Sequence, residues 1–171
     1  MTVLETPRLT LRRATVEDHA FIFALVNDPD WLRFISDKGV KTEADARDYI
    51  QKALLAMYDR LGFGLYLVER KSDGAVVGLC GLIKRDSLED VDLGFAFLPQ
   101  FRAQGYARES STAVLDYGNK ILGLKRIVAI TMPENDSSIR LLEKLGFKYE
   151  KMVKAPTPGP DDKLFAIDFM P

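Results

Sequence analysis

Leu9 and Leu11 alternate with Arg8, Thr10 and Arg12, a period of two that predicts a strand over 8–13 with one face buried. The pattern then lengthens. Thr15-Val16-Glu17-Asp18 places a capping hydroxyl three residues before a carboxylate, which opens a helix expected to reach Val26 and stop at Asn27-Asp28-Pro29. Thr42-Glu43-Ala44-Asp45 repeats that signal and predicts a longer helix to Leu61, ended by Gly62. Two apolar runs, 64–70 and 75–83, meet at Ser72-Asp73-Gly74 and read as a hairpin. A third run, 91–98, follows the polar connection 84–90. Beyond residue 106 the period becomes helical, with Val114, Leu115, Gly118, Ile121 and Leu122 on one stripe. The chain closes with a strand at 126–131 and a helix capped by Asn135 or Asp136 and ended at Gly146-Phe147. Strands at 147–154 and 163–169 follow, around the loop 156–162.

This order predicts a mixed α/β sheet flanked by helices. The strands 91–98 and 126–131 are joined through a helix, so they run parallel if they are neighbours. With no repeat and no low-complexity stretch, one domain is expected over 1–171. At 171 residues, 47% apolar and 29% charged, the chain can bury a sizeable core.

Composition narrows the function classes. No apolar run approaches the roughly 20 residues of a membrane span, and Met1-Thr2-Val3-Leu4-Glu5 lacks the basic start and apolar segment of a secretory signal. A net charge of −1, with no Lys/Arg run longer than two, argues against nucleic acid as a partner. The single cysteine, Cys80, excludes an internal disulfide and a cysteine metal cluster, and fits a reducing, cytoplasmic location. His19 is the only histidine, so no multi-histidine metal site forms and no metal is expected.

The strongest chemical signal lies where the strand 91–98 passes through Pro99-Gln100-Phe101 into Arg102-Ala103-Gln104-Gly105-Tyr106-Ala107 and a helix. A helix that opens off a strand presents unpaired N–H groups and a positive dipole end, which suit an anion. Gly105 permits close approach or a positive φ, and Ala107 keeps the next position small. No Lys-Ser/Thr follows the glycine, so this is not a P-loop, and the further glycines of a dinucleotide fingerprint are missing.

The run 102–107 resembles the Arg/Gln-x-x-Gly-x-Gly/Ala signature of the GNAT N-acetyltransferases. Asp92-Leu93-Gly94-Phe95 is similar to the family's Glu-Ile-Gly-Tyr strand, and the stretch from Asn135 to Gly146-Phe147 resembles its second conserved block. Thr6-Pro7-Arg8-Leu9-Thr10-Leu11-Arg12 resembles the first strand of the ribosomal-protein N-terminal (RimJ/RimL-like) branch. The resemblance implies a mostly antiparallel sheet whose central parallel strands, 91–98 and 126–131, splay into a V-shaped cleft. It also implies that the pantetheine arm of acetyl-CoA lies along Phe95, Phe97 and Leu98. The pyrophosphate would meet Arg102, Ala103, Gln104, Gly105, Tyr106 and Ala107, with Asn135 and Ser138 touching the arm. Asn135 serves equally well as a plain helix cap.

By the same resemblance Asp92 stands at the position of the general base. It is one methylene shorter than Glu, which favours proton transfer through water. Many members carry a proton-donating tyrosine seven residues after the asparagine, where this chain has Leu142. Ser138, which has a precedent in the RimL-like branch, or an ordered water is the expected substitute at the leaving sulfur. The aromatic cluster at 31–35 reads either as a core plug or, with Trp31, Phe34 and Asp37, as a wall of the acceptor site that Tyr66 also faces, and Cys80 as a buried strand residue with no catalytic part. The implied activity is direct transfer from acetyl-CoA to a primary amine in a ternary complex, by a monomer or homodimer. The branch-level expectation for the acceptor is a protein N-terminal α-amine. A small amine metabolite or antibiotic is the alternative acceptor, and a CoA-binding module without turnover the alternative function.

Overall fold

In the computed structural model, which describes residues 1–170, Leu9 and Leu11 are fully buried and anchor one side of an eight-stranded sheet. The strands are β1 (Thr2–Glu5), β2 (Leu9–Arg12), β3 (Leu65–Arg70), β4 (Val76–Ile83), β5 (Asp92–Phe97), β6 (Arg126–Thr131), β7 (Lys148–Val153) and β8 (Asp162–Asp168). Their spatial order is β1-β2-β3-β4-β5-β6-β8-β7, and every neighbouring pair is antiparallel except β5–β6. The helices are α1 (His19–Val26), α2 (Pro29–Phe34), α3 (Glu43–Tyr49), α4 (Ala56–Leu61), α5 (Tyr106–Lys120) and α6 (Asp136–Lys144). The fold is thus the expected mixed sheet flanked by helices, mostly antiparallel with one parallel pair.

Register decides what each face carries, because residues directly opposite one another share a face. Tyr66 pairs with Cys80, and Cys80 with Phe95. Cys80 Sγ lies 3.5 Å from Ser111 Oγ on α5, so this row faces α5. Gly118 of α5 sits so close to Leu82 and Ile127 that a Cβ there would meet their methyls at 2.9 and 3.0 Å. The opposite face carries Arg12, Leu67, Leu79 and Asp92. There Arg12 binds Asp18, whose side chain completes the Thr15 capping box of the 3-10 turn Val16–Asp18 that leads into α1.

Three elements differ from the sequence expectation. β1 is a four-residue edge strand with only intermediate burial, too short for a period to register. Pro29 does not merely stop α1: it occupies the first position of α2, with Asp28 accepting from Asp30 N–H as its cap. The helix expected over 42–61 is interrupted by a π-helical segment, Ile50–Leu55, between α3 and α4.

The parallel pair opens the cleft. β5 and β6 bridge only at Asp92 and Val128, and beyond that point they part. Leu98 N–H donates to Val77 O, which sets the phase of the β4–β5 ladder. Backbone groups of Ala96 and Gly94 therefore turn to β4, and those of Phe95 and Phe97 turn towards the gap that β6 has left.

Candidate active site

At the end of β5 a short 3-10 turn, Pro99–Phe101, leads into the loop before α5. Two residues of that loop are left-handed, Ala103 at φ 60° and Gly105 at φ 84°. Gly105 caps α5 without a capping side chain, so no side-chain acceptor takes up its first amides. Glu109 N–H is the first to find a helical acceptor, Gly105 O, which leaves the N–H groups of Tyr106, Ala107 and Arg108 ahead of it unpaired within the helix. A concave row of amides at the positive end of a 15-residue helix is what a diphosphate requires. A Cβ on Gly105 would lie 3.1 Å from Arg8 Nη2, so a cation also borders the loop.

The loop is held from both sides. Arg102 does not point at the expected diphosphate. Its Nε donates to Phe97 O at 3.0 Å, and its terminal nitrogens bind Asp28 and Asp30 at the start of α2. The expected anion contact is therefore corrected for the side chain: Arg102 ties the loop to α2, and only its backbone remains for a ligand. On the other side Glu109 accepts from Thr6 Oγ1, from Arg8 N–H and from Arg8 Nε. Arg8 also donates to Gln104 O at 2.9 Å and lies over the Tyr106 ring at 4.6 Å. Tyr106 is buried beneath it, and Gln104 donates to Gln100 O. Phe97 is likewise buried, its ring against Gly78, so only its backbone reaches the cleft, while Leu98 accepts from Phe101 N–H.

Asp92 marks the fork where β5 and β6 part. It is 1% exposed, its Oδ2 accepts from Arg85 Nε at 3.2 Å, and its Oδ1 has no partner. Burial pushes its carboxyl up to about 6, against the opposing pull of Arg85. A carboxylate tuned to lose its proton near neutrality, at the root of a cleft, has the character of a general base. Arg85 at present covers it. Asp162 shares this sheet face: its strand neighbours Leu164 and Ala166 pair with Ile130 and Val128. It too is buried, which raises its carboxyl.

Asn135 and Ser138 lie across the cleft at the start of α6. Asn135 Oδ1 accepts from Ser138 N–H at 3.2 Å, the capping role, while both residues stay partly exposed. Leu142 is fully buried in the core, so no proton donor stands at that position. Cys80 is equally buried, and desolvation pushes its thiol up to about 11. Cys80→Ala is expected to keep most transfer activity, with initial rates fitting a ternary complex. An acetyl-thioester trapped on Cys80 would contradict this.

The acceptor wall is partly corrected. Tyr66 is 2% exposed and faces α5, two strands away from the fork, where its ring stacks on Tyr58 at 5.7 Å; it is a core residue. Trp31 is buried in the same core. Phe34 is partly exposed beneath Arg33. Asp37 turns back on its own loop, accepting from Gly39 N–H and pairing with Lys41. Its neighbour Lys38 is exposed as a residue, but its ammonium lies within the field of Arg85. Desolvation, then repulsion from Arg85, hold its ammonium below the usual value. Arg85 and Lys38 were not candidates in the sequence reading, and neither was Arg8 as a loop residue.

A family profile described as an acetyltransferase (GNAT) domain matches residues 8–148. YkkB, an uncharacterized protein of Bacillus subtilis, is 31% identical over 158 residues, covering 90% of this chain and 89% of its own. An uncharacterized N-acetyltransferase of the same organism, YnaD, is 28% identical over 91% of this chain and 88% of its own. Among solved structures, a GNAT-family acetyltransferase from Bacillus anthracis superposes with a TM-score of 0.80 at 29% identity, over 98% of both chains. With a sheet opened at one parallel pair and a family profile spanning most of its length, the chain belongs to the GNAT family and is an acetyltransferase.

Proposed function

We propose that this acetyltransferase uses acetyl-CoA to acetylate a primary amine by direct transfer, with the α-amine of a protein N-terminus as acceptor. The observation that carries the reading is the fork itself: a left-handed amide loop on one side and a buried carboxylate at the root. Acetyl-CoA supplies the acyl group already activated on sulfur. The backbone amides of 103–107 hold its diphosphate, and the backbone edge at Phe95, with the N–H of Phe97, aligns its arm. The RimL ribosomal L7/L12 α-N-protein acetyltransferase, solved with coenzyme A, supports the placement at the level of fold, with a TM-score of 0.84 at 17% identity.

Asp92 receives the proton of the attacking amine through a water admitted where Arg85 now covers it. Only a neutral amine attacks, and an α-amine, with a pKa near 8, needs less help than a lysine near 10.4. Ser138 supports the departing sulfur in place of the missing tyrosine. Ser138→Ala is expected to lower kcat by about 100-fold, the low end of acid–base contributions, with CoA affinity unchanged. Equal kcat would make Ser138 structural. A small amine acceptor has its own support: the spermidine N(1)-acetyltransferase of Escherichia coli is 24% identical over 82% of this chain. Acetyl-CoA turnover with N-terminal peptides and polyamines side by side decides between the acceptors. CoA binding without product from any amine would leave a binding module.

A further inference from the structure

Arg85 and Asp92 form a half-matched pair. Nε of Arg85 reaches Oδ2 of Asp92 at 3.2 Å. Among the described residues, neither Nη of Arg85 has a hydrogen-bond or ion-pair partner. Oδ1 of Asp92, almost wholly buried, has none either. A guanidinium ordinarily meets a carboxylate with two parallel bonds, so this one keeps a free fork of donors beside a free carboxylate oxygen. The fork suits an anion and the oxygen suits an ammonium, and the two lie within one side chain's length of each other.

The surroundings favour an anion beside the amine. Lys38 comes near enough to Arg85 for the two cations to repel. Lys84 is engaged by the Arg85 and Leu88 carbonyls. Asp162 is the other nearby carboxylate, and Tyr49 is the nearby phenol, both within the field of Arg85. A polycation entering here meets two cations without matched partners; a zwitterion satisfies them.

We propose that the acceptor carries a carboxylate beside the amine it presents, the carboxylate received by the Nη atoms of Arg85 and by Lys38, and the amine directed to Asp92. The inference rests on the acetyl-transfer reading above. The chemistry is unchanged: the N–C bond forms, the C–S bond breaks, the amine proton leaves through Asp92 to solvent, and the thiolate takes a proton from water. Drawing Arg85 towards the substrate carboxylate also uncovers Asp92. The shared chemistry occurs in a free α-amino acid and in a peptide whose first residues include Asp or Glu.

The test compares matched pairs that differ in one charge: glycine with glycinamide, and peptides with Asp or Asn at the second position, with spermidine as polycation. Acetyl-CoA turnover is measured for each, and calorimetry follows their binding to CoA-loaded protein. The carboxylate member of at least one pair is expected to lead in kcat/KM by roughly 10- to 100-fold, the worth of a charge-assisted bond. The pair that leads identifies the source. Arg85→Gln should collapse that ratio, and Lys38→Met, at an exposed site that does not threaten folding, should reduce it. Amides or spermidine acetylated as well as the carboxylates would overturn the proposal and leave the transferase reading intact. Carboxylate-selective binding without acetylated product would support the recognition and overturn the transferase reading. Neither preference nor product would overturn both.

Discussion

Gly105→Val is expected to weaken CoA binding by at least 100-fold while the domain stays folded. Gly105 is left-handed at φ 84°, and a Cβ would stand 3.1 Å from Arg8 Nη2. A β-branched residue in that conformation costs about 1–2 kcal/mol, so the loop relaxes and its amides turn away. Each lost bond to a charged oxygen is worth about 1.5–3 kcal/mol, and two such losses already exceed 100-fold. Folding survives because a domain of this size has roughly 5–15 kcal/mol in hand. Gly123→Val is the control: Gly123 is also left-handed, at φ 73°, but a Cβ there meets nothing within 4 Å, and it lies after α5 rather than before it. Both variants should lose similar stability in thermal melts, and only the first should lose affinity by calorimetry. Unchanged affinity in folded Gly105→Val would remove the loop from the diphosphate site.

The loop was legible because a glycine after a strand and before a helix announces its backbone. Ala103 announces nothing, yet it is left-handed as well. The role of Arg102 was hidden for another reason. Its partners, Asp30 and Asp28, are 72 and 74 residues away, and no local pattern reports a contact of that span. Tyr66 was misassigned because period alone says that a strand has two faces, not which face meets the cleft; that depended on its pairing with Cys80. Asp37 was expected on the acceptor wall, whereas the turn at Gly39 sends its carboxylate back to its own loop. Arg85 lay in a connection that read only as polar, and its importance comes from folding over the strand end that carries Asp92. Asp92 itself was visible through its place in the strand, but its burial and its open Oδ1 were not.

Asp92→Asn separates those two properties, because one shows in stability and the other in rate. The carboxyl of Asp92 is raised from its ordinary 3.8 to about 6 by burial, with Arg85 opposing. Between those values the folded chain keeps a proton that the unfolded chain has lost, so the contribution of Asp92 to wild-type stability falls as pH rises from about 4 to about 6. A shift of this size corresponds to about 3 kcal/mol. Asparagine does not titrate, so the stability of Asp92→Asn relative to wild type should improve by about that much from pH 4 to pH 7 in denaturant unfolding. The loss of a partner for Arg85 adds an offset that hardly depends on pH, which is why the slope is the readout. Activity should move the other way. At pH 7 kcat/KM is expected to fall by ~10–10³, less than the full general-base range of about 10²–10⁴ because an α-amine is already partly neutral. The deficit should shrink above about pH 8, where solvent deprotonates an α-amine unaided. Equal rates for both proteins from about pH 6 to 9 would show that Asp92 takes no proton from the amine, even if the stability slope appears as expected. The carboxylate would then be a buried structural charge, and catalysis would rest on the alignment of amine and thioester by the backbone of β5 and the loop.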